Sequence, residues 1–368
     1  MQEFKDPVVE NIRDSLRYDT FSHRQDIRES LWGRNRIISD AVRKEIQTSE
    51  DVKILCEKLK CKSKITREDL SALKQALFYD DRNIAVFFSI EGTLHALIRE
   101  LSGHKAMHQL EAACCCCNLA LGDPKFTLRL TKAATPYLAA HLDGLSTVTV
   151  DVCVWAVGNL ASGGDACWQI LHDQGVLDKL LRLLHTSDEM LTSTLVYALT
   201  HYVSAGLDAM PPEVLAKVAT ETHQLLELQP ASYWLLFLLS FPSASSGILV
   251  GNHLVSRCCQ LLVDLAASGS SVDQQLSRVT ALLRIVGNLV AGADGTGAME
   301  LLSSQATSAF KSLLAVSCPH VRKECVWLLA NVWCHPNEAV RQVCSMRGFV
   351  DQELQEQLNT CGEIIQCS

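Results

Sequence analysis

The sequence predicts an all-α protein built from helical repeats, and three observations support this prediction. Leu and Ala are abundant, whereas only 6% of the 368 residues are aromatic, a balance that favours helices packing on helices. Apolar residues recur at helical spacing along most of the chain. Short blocks of similar sequence also return at regular intervals, which is typical of a repeat architecture.

The repeated block contains an Asn near the end of a helix in its four clearest copies. These are CCCCNLALG (114–122), WAVGNLASG (155–163), RIVGNLVAG (284–292) and WLLANVWCH (327–335), with weaker copies YALTHYVSAG (197–206) and WLLFLLSFP (234–242). The fifth residue of each block, which we call the signature position, is in chain order Asn118, Asn159, His201, Leu238, Asn288 and Asn331. Successive signature positions are 37 to 50 residues apart, close to the roughly 40–47 residues of armadillo and HEAT repeats.

Each period predicts the same internal layout. Residues 122–163 contain a Gly/Asp/Pro turn with a short helix, a second helix broken near Gly144, and a third, apolar helix that ends at Gly163. The next period begins at Gly164 and repeats this order, with Asp188 among the capping residues before its third helix. We therefore expect stacked repeats that bury their apolar faces against their neighbours.

The chain is predicted to divide into an N-terminal arm, residues 1–60, and a repeat domain, residues 61–368. The arm lies outside the repeat and holds 12 Lys/Arg and 12 Asp/Glu, although residues 21–44 alone carry a net charge of +3. REDLSALKQALF (67–78) predicts an extra helix before the first full repeat. Residues 335–354 predict a first and a second helix without a third.

Three blocks, WAVGNLASGG, RIVGNLVAGAD and KECVWLLANV, resemble the third-helix signature of importin-alpha, the adaptor for nuclear localisation signals. In that signature a Trp precedes an Asn by four residues, and a Gly usually follows four residues later. The resemblance runs from about residue 67 to residue 350, and Arg284 replaces Trp where the family also carries Arg. It implies an all-α, armadillo-repeat, right-handed superhelical solenoid of about six three-helix units, which binds an extended basic peptide in a concave groove and acts in nuclear import.

A Trp and an Asn four residues apart lie on one face of a helix, one turn apart. A carboxamide has one acceptor and two donors, so it can hold both the N–H and the C=O of an extended peptide. Neighbouring Trp rings can enclose the stem of a Lys or Arg, with about 0.5–2 kcal/mol of cation–π attraction. The resemblance assigns peptide binding to Asn118, Trp155, Asn159, Tyr197, His201, Trp234, Arg284, Asn288, Trp327 and Asn331.

A structural role is the alternative, because a Trp near the end of a repeat helix is often buried and a helical Asn is often a capping residue. Four Asn at matched positions favour a binding row, since Asn is a poor helix former. The pattern is nevertheless incomplete: Cys114 stands where the family places Trp, and Gly163 stands where it places an acidic residue. These departures predict a weakened or altered preference for localisation signals.

The resemblance also implies importin-beta as a partner, through residues 11–45. The stretch RQDIRESLWGRNRIISDAVRK (24–44) resembles only faintly the basic helix with which importin-alpha binds that receptor, because three acidic residues interrupt its six basic ones. A solvated capping helix is the alternative for this stretch.

Composition and motifs argue against other classes of function. A net charge of −8 disfavours nucleic-acid binding and membrane-surface binding. The charged start MQEFKDPVVE lacks the apolar region of a signal peptide, and the apolar run 233–241 is shorter than the roughly 20 residues that span a bilayer. We therefore expect a soluble protein of the cytoplasm and nucleus.

The 16 cysteines are expected to be mostly reduced thiols in those compartments. Neither Cys56 with Cys61 nor Cys114 with Cys117 is followed by a second pair at zinc-finger spacing. HKAMH (104–108) has two His four residues apart but no third ligand nearby. No HExxH, GxSxG or GxxxxGK[ST] occurs. We expect no catalysis, no cofactor and no metal; a non-transport armadillo scaffold and, with less support, a cysteine-dependent redox or metal protein are the alternatives.

Overall fold

The computed structural model describes residues 48–61, 65–186, 188–267, 275–304 and 306–346. This part of the chain forms α-helices and contains no strand, so the prediction of an all-α fold is confirmed. The helices are α1 Ser49–Lys60, α2 Arg67–Tyr79, α3 Asp81–Ser89, α4 Thr93–Leu101, α5 Ala106–Leu119, α6 Pro124–His141, α7 Thr147–Ala161, α8 Asp165–Asp173, α9 Val176–Leu183, α10 Glu189–Gly206, α11 Pro212–Thr222, α12 Leu225–Leu228, α13 Ser232–Ser240, α14 Ser243–Gly251, α15 Leu254–Ala267, α16 Leu276–Val290, α17 Thr296–Ser303, α18 Thr307–Leu314, α19 Pro319–Trp333 and α20 Glu338–Met346.

Two compact halves make up the chain, Met1–Gln174 and Gly175–Ser368. In each half the last helix of a repeat packs on the last helix of the next repeat. In the N-terminal half α2 packs on α5, and α5 packs on α7; in the C-terminal half α10, α13, α16 and α19 follow one another in the same way. Apart from α2, which precedes the first full repeat, these are the third helices that carry the signature positions, so the repeat places equivalent residues side by side.

Polar side chains at the helix starts define where several of these helices begin. Thr48 and Thr66 each form a capping box with the Asp three residues later, at the starts of α1 and α2. Asp188 accepts hydrogen bonds from the backbone N–H groups of Met190 and Leu191 at the start of α10, as the sequence predicted. These caps satisfy N–H groups that have no partner inside the helix.

Helix α1 lies on the N-terminal side of the predicted boundary at residue 60, yet it packs on α2, α3 and α4. Its apolar face, with Val52, Leu55 and Leu59, is buried. The described end of the predicted arm therefore packs with the repeats. The predicted importin-beta-binding segment, residues 11–45, lies outside the described residues.

One repeat differs from the predicted layout. Helix α6 is continuous from Pro124 to His141, where two helices were predicted, although Pro136 lies inside it. An internal proline costs a helix about 3 kcal/mol. The apolar stripe of Leu130, Ala134 and Leu138 is fully buried on both sides of the proline, and burying such side chains offsets that cost.

Membrane-spanning potential was tested on the described part of the chain, and no single helix there is both long and apolar enough to cross a bilayer. The helices α13 and α14 meet the length and composition limits only when taken together, and a bend of 118° separates them. Most of α13, the apolar run singled out in the sequence, is buried among its neighbours.

Candidate peptide-binding face

The four signature Asn side chains share one contact: each donates a hydrogen bond from Nδ2 to the third helix of the preceding repeat. The acceptors are the carbonyl of Lys74 for Asn118 (2.9 Å), the carbonyl of Cys117 for Asn159 (2.9 Å), the Oγ of Ser240 for Asn288 (2.7 Å) and the carbonyl of Gly287 for Asn331 (3.1 Å). Donor and acceptor are 42 to 48 residues apart. We call these hydrogen bonds the inter-repeat ties.

Two of the ties complete the end of a helix. Cys117 and Gly287 are among the last four residues of α5 and α16, whose carbonyls have no partner within the helix. The backbone N–H groups that follow bond to neighbouring carbonyls, that of Leu121 to Asn118 and that of Ala291 to Asn288. The tie therefore supplies the donor that Cys117 and Gly287 need. This gives Asn a reason to recur that is independent of any peptide.

The signature Asn residues are less exposed in the N-terminal half than in the C-terminal half. In the N-terminal half Asn118 and Asn159 have only 7% and 1% of their surface exposed, and Trp155 has 6%. In the C-terminal half Asn288 and Asn331 are half-buried. A tie uses one of the two amide N–H groups, so these two residues present a fixed carboxamide at a partly open surface.

A buried carboxylate lies among the third helices of the N-terminal half. Glu111 on α5 has 4% of its surface exposed; its Oε2 accepts a hydrogen bond from Lys74 Nζ at 2.7 Å, and Arg67 Nε lies 3.7 Å from its Oε1. Burial opposes the charged form of Lys74, but the neighbouring Glu111 carboxylate outweighs it and raises the pKa of Lys74. The carboxylate is thus neutralised by cations of the same chain.

The four consecutive cysteines lie on α5 around this pair. Cys115, Cys116 and Cys117 are buried and Cys114 is half-buried. Burial raises the pKa of Cys114 to about 12 and that of Cys116 further, so these groups are thiols rather than thiolates at neutral pH. Within the described residues no group of three or more His, Cys, Asp or Glu side chains is arranged to hold a metal ion.

In the C-terminal half, the residues that open the repeated blocks of α10 and α13, Tyr197 and Trp234, each pack against a neighbouring ring. The rings of Tyr197 and His201 are 4.5 Å apart, and His201 has 8% of its surface exposed. Trp234 is half-buried, donates from Nε1 to Ser277 Oγ at 3.1 Å and meets Phe237 edge-on at 5.7 Å. The contact between Trp234 and Ser277 joins α13 to α16.

Arg284, which replaces Trp in its repeat, forms an ion pair instead of an aromatic wall. Its Nη2 and Nε donate to Glu324 Oε1 on α19 at 2.6 and 2.9 Å. Its guanidinium also lies 5.8 Å from the ring centre of Phe237 on α13. The side chain therefore spans three neighbouring third helices and fixes their alignment.

Trp327 is the most exposed of the predicted aromatic residues, with 41% of its surface accessible. Its ring lies directly on Gly287: a Cβ added at Gly287 would be 2.1 Å from Trp327 Cζ3. Asn331, one turn later, bonds the carbonyl of the same glycine. Trp327, Asn331 and Gly287 thus form one unit, and we call the surface formed by α13, α16 and α19 the C-terminal face.

Sequence reasoning missed the partners of these residues. Glu111 and Glu324 each precede a signature Asn by seven residues, two helical turns, so their position was readable from the repeat. Their pairing with Lys74 and Arg284 was not, because it depends on how consecutive repeats are aligned. Nothing in the sequence marks Ser240 and Gly287 as the acceptors of inter-repeat ties.

Comparison with known proteins adds to this geometry. No family model matches the chain. Importin subunit alpha-9 of Arabidopsis thaliana is 29% identical to it in an alignment 255 residues long, which covers 66% of this chain and 48% of that protein. The chain therefore spans about half the length of this curated relative, and the alignment supports the predicted relationship to importin-alpha-like armadillo proteins.

Among solved structures, an engineered protein matches with a TM-score of 0.63 at 21% identity, covering 84% of this chain and 77% of the other. The stacking of third helices in both halves and this structural match indicate the same fold. The chain has an armadillo-repeat fold. A designed armadillo repeat protein in complex with the peptide (KR)4 matches with a TM-score of 0.42 at 19% identity, covering 76% and 98% of the two chains.

Proposed function

We propose that this armadillo protein is an importin-alpha-like adaptor, which binds the extended basic signal of a cargo protein along its third helices and acts in protein import into the nucleus. The similarity to an importin-alpha subunit over 255 residues supports the proposal. The observation that carries it is the pairing of Trp327 with Asn331: an aromatic ring with 41% of its surface exposed, one turn before a carboxamide held in place by Gly287.

The proposed mechanism divides the work between two kinds of side chain. The half-buried Asn288 and Asn331 each use one N–H in a tie, which leaves the other N–H and the oxygen for the backbone of an extended peptide. The tie also holds each side chain in a fixed orientation, so little side-chain entropy is lost on binding. The exposed Trp packs against the stem of a peptide side chain. Neither step makes or breaks a covalent bond, and we propose a non-enzymatic role.

Transport would also need a carrier. We propose importin-beta as a partner through residues 11–45 and a location in both cytoplasm and nucleus, because importin-alpha adaptors work in this way. A pull-down with importin-beta that compares the full chain with residues 61–368 tests this part. Equal recovery of the two forms would remove the arm from the proposal.

A non-transport armadillo scaffold is the second candidate, and one observation favours it. The two glutamates near the signature Asn residues, Glu111 and Glu324, are both paired with cations of the same chain. Fewer free carboxylates then remain to select a basic peptide. A scaffold would use the same third helices for a different extended partner.

The experiment is a titration of a fluorescent basic localisation-signal peptide with the wild-type chain and two variants, Trp327→Ala and Asn331→Ala. We expect each variant to bind at least tenfold more weakly. Trp333→Ala is the matched control, because Trp333 lies on the same helix with a similar exposure of 39% but points away from Asn331. Binding that is absent, or equal in all four proteins, would refute the adaptor and leave the scaffold.

A further inference from the structure

The charge of the C-terminal face differs from that of the whole chain. Its three helices carry four basic residues, Arg278, Arg284, Arg322 and Lys323, and a single acidic one, Glu324. This is a net charge of +3, against −8 for the chain. Basic residues are therefore concentrated on these third helices, where the adaptor proposal would place a basic peptide.

The one carboxylate on these helices is already neutralised. Glu324 accepts both hydrogen bonds of Arg284, and its side chain has only 15% of its surface exposed. To pair with Glu324, a lysine of an incoming peptide would have to displace an internal arginine held by two hydrogen bonds. Such charge-assisted, partly buried pairs are stronger than exposed ones.

The cations that remain are accessible. Lys323 and Arg278 are exposed, and no carboxylate in the described part of the chain pairs with either of them. Lys323 lies one helical turn before Trp327, on the same side of α19. Arg278 lies at the start of α16, near Tyr233 of α13.

The orientation of α16 and α19 adds to the positive electrostatic potential of the C-terminal face. The pairs Arg284–Glu324 and Gly287–Asn331 show that α16 and α19 run in the same direction. The earlier residue of α16 contacts the earlier residue of α19, and the later residue contacts the later one. The residues that precede these helices, Gln275 and Cys318, form no side-chain cap. The positive ends of the two helix dipoles therefore lie on the same side as Arg278 and Lys323.

We propose that the C-terminal face binds an acidic extended segment of a partner protein, whose carboxylates pair with Lys323 and Arg278 while its backbone and apolar side chains contact Asn331 and Trp327. The inference rests on the second candidate function above, the non-transport scaffold, and names the chemistry of its partner. At this face it is the alternative to the basic signal of the adaptor, and the peptide comparison below decides between the two. Opposite charges would speed the encounter with such a segment, and like charges would disfavour a basic one.

The test uses the full chain and three fluorescein-labelled peptides of equal length: eight residues alternating Glu and Ser, Lys and Ser, or Gln and Ser. We expect the Glu peptide to bind at least tenfold more tightly than the Lys peptide, with an affinity that falls as salt is raised from 50 to 300 mM. Lys323→Glu should weaken the Glu peptide at least fivefold. Lys125→Glu is the matched control, because it makes the same charge change at an exposed site on α6 and should leave binding unchanged.

Each outcome decides the matter. The proposal is overturned if the Lys peptide binds as tightly as the Glu peptide, if no peptide binds, or if Lys323→Glu and Lys125→Glu have equal effects. Trp327→Ala separates this failure from that of the peptide-binding face itself. If Trp327→Ala weakens the Lys peptide, the face binds peptides and only the charge preference is wrong; if it weakens none of the three peptides, the face is not a peptide site. Circular dichroism of each variant verifies that it is folded.

Discussion

Asn331 and Gly287 are joined across one repeat: the Asn331 Nδ2 donates to the Gly287 carbonyl at 3.1 Å, and the Trp327 ring one turn earlier lies on the same glycine. A single residue thus serves as both the acceptor of a tie and the floor beneath an exposed ring. Because Gly287 has no side chain, the Asn331 amide and the Trp327 ring can both lie against it.

Gly287→Ala should therefore destabilise the protein. Its Cβ would be 2.1 Å from Trp327 Cζ3, so the ring must move and the tie to Asn331 must lengthen. Overpacking of this kind costs about 1–3 kcal/mol, which outweighs the gain in helix propensity of about 1 kcal/mol from replacing Gly by Ala. Urea unfolding measures the change. Adding Trp327→Ala should recover most of the loss, whereas an unchanged midpoint in Gly287→Ala alone would contradict the contact.

The ties predict different costs for removing different signature Asn residues. Asn159→Ala leaves the Cys117 carbonyl without its donor in a site where Asn159 is 1% exposed, so we expect a loss of about 1–3 kcal/mol. Asn331 is half-buried, and water can replace it, so Asn331→Ala should cost less, about 0.5–1 kcal/mol. Thermal and urea unfolding of the two variants test this order. Equal costs, or a larger one for Asn331→Ala, would show that the ties are not the main contribution of these residues.

Lys74→Met should be among the most damaging single changes in the N-terminal half. It removes the 2.7 Å partner of Glu111 and leaves a carboxylate that is 4% exposed with only the more distant Arg67. Removing one member of a fully buried pair costs about 3–5 kcal/mol; because the Lys74 side chain is itself 23% exposed, we expect a loss near the lower end of that range. Lys58→Met is the matched control, because the Lys58–Asp69 pair lies at the surface with Lys58 47% exposed, and it should cost less than about 1 kcal/mol. Similar losses in both variants would contradict the buried character of Glu111.

Thiol chemistry tests the interpretation of the four cysteines. Burial raises the pKa of Cys114 to about 12, and Cys115 and Cys116 are shifted in the same direction. Among the cysteines within residues 48–346 that the structure describes, iodoacetamide at pH 8 should modify the exposed Cys61 and Cys334 first, because the thiolate is the reactive form. Peptide mass spectrometry after timed alkylation, with a urea-unfolded sample as control, measures the order. Modification of Cys114 or Cys116 at the rate of Cys61 in the folded protein would refute it.

The fold was predictable because its signal is periodic and local. A helix that ends in a signature block every 37 to 50 residues specifies third helices without any knowledge of their contacts, and the structure places the blocks on α5, α7, α10, α13, α16 and α19. Helix α6 was mispredicted as two helices because Pro136 is a strong local stop signal. Burial of Leu130 and Leu138 on either side of the proline overrides it, and burial depends on neighbouring repeats.

The candidate site was predictable in its positions but not in its chemistry. Asn331 and Trp327 could be located from spacing alone, and their role in peptide binding stays a prediction. That Asn159 bonds the Cys117 carbonyl, or that Arg284 neutralises Glu324, depends on the alignment of one repeat against the next. No pattern within a single helix encodes that alignment, so the ion pair that underlies the proposed charge preference of the C-terminal face could be found only in the structure.

The spacing of the inter-repeat ties has a mechanical consequence. Each tie joins a repeat only to the one before it, at a separation of 42 to 48 residues, so tension applied along the chain would be released one repeat at a time. Each release would lengthen the molecule by roughly 150 Å, since an extended residue spans about 3.3–3.6 Å. Within each half, we therefore expect the repeats to unfold under tension in separate steps of similar length.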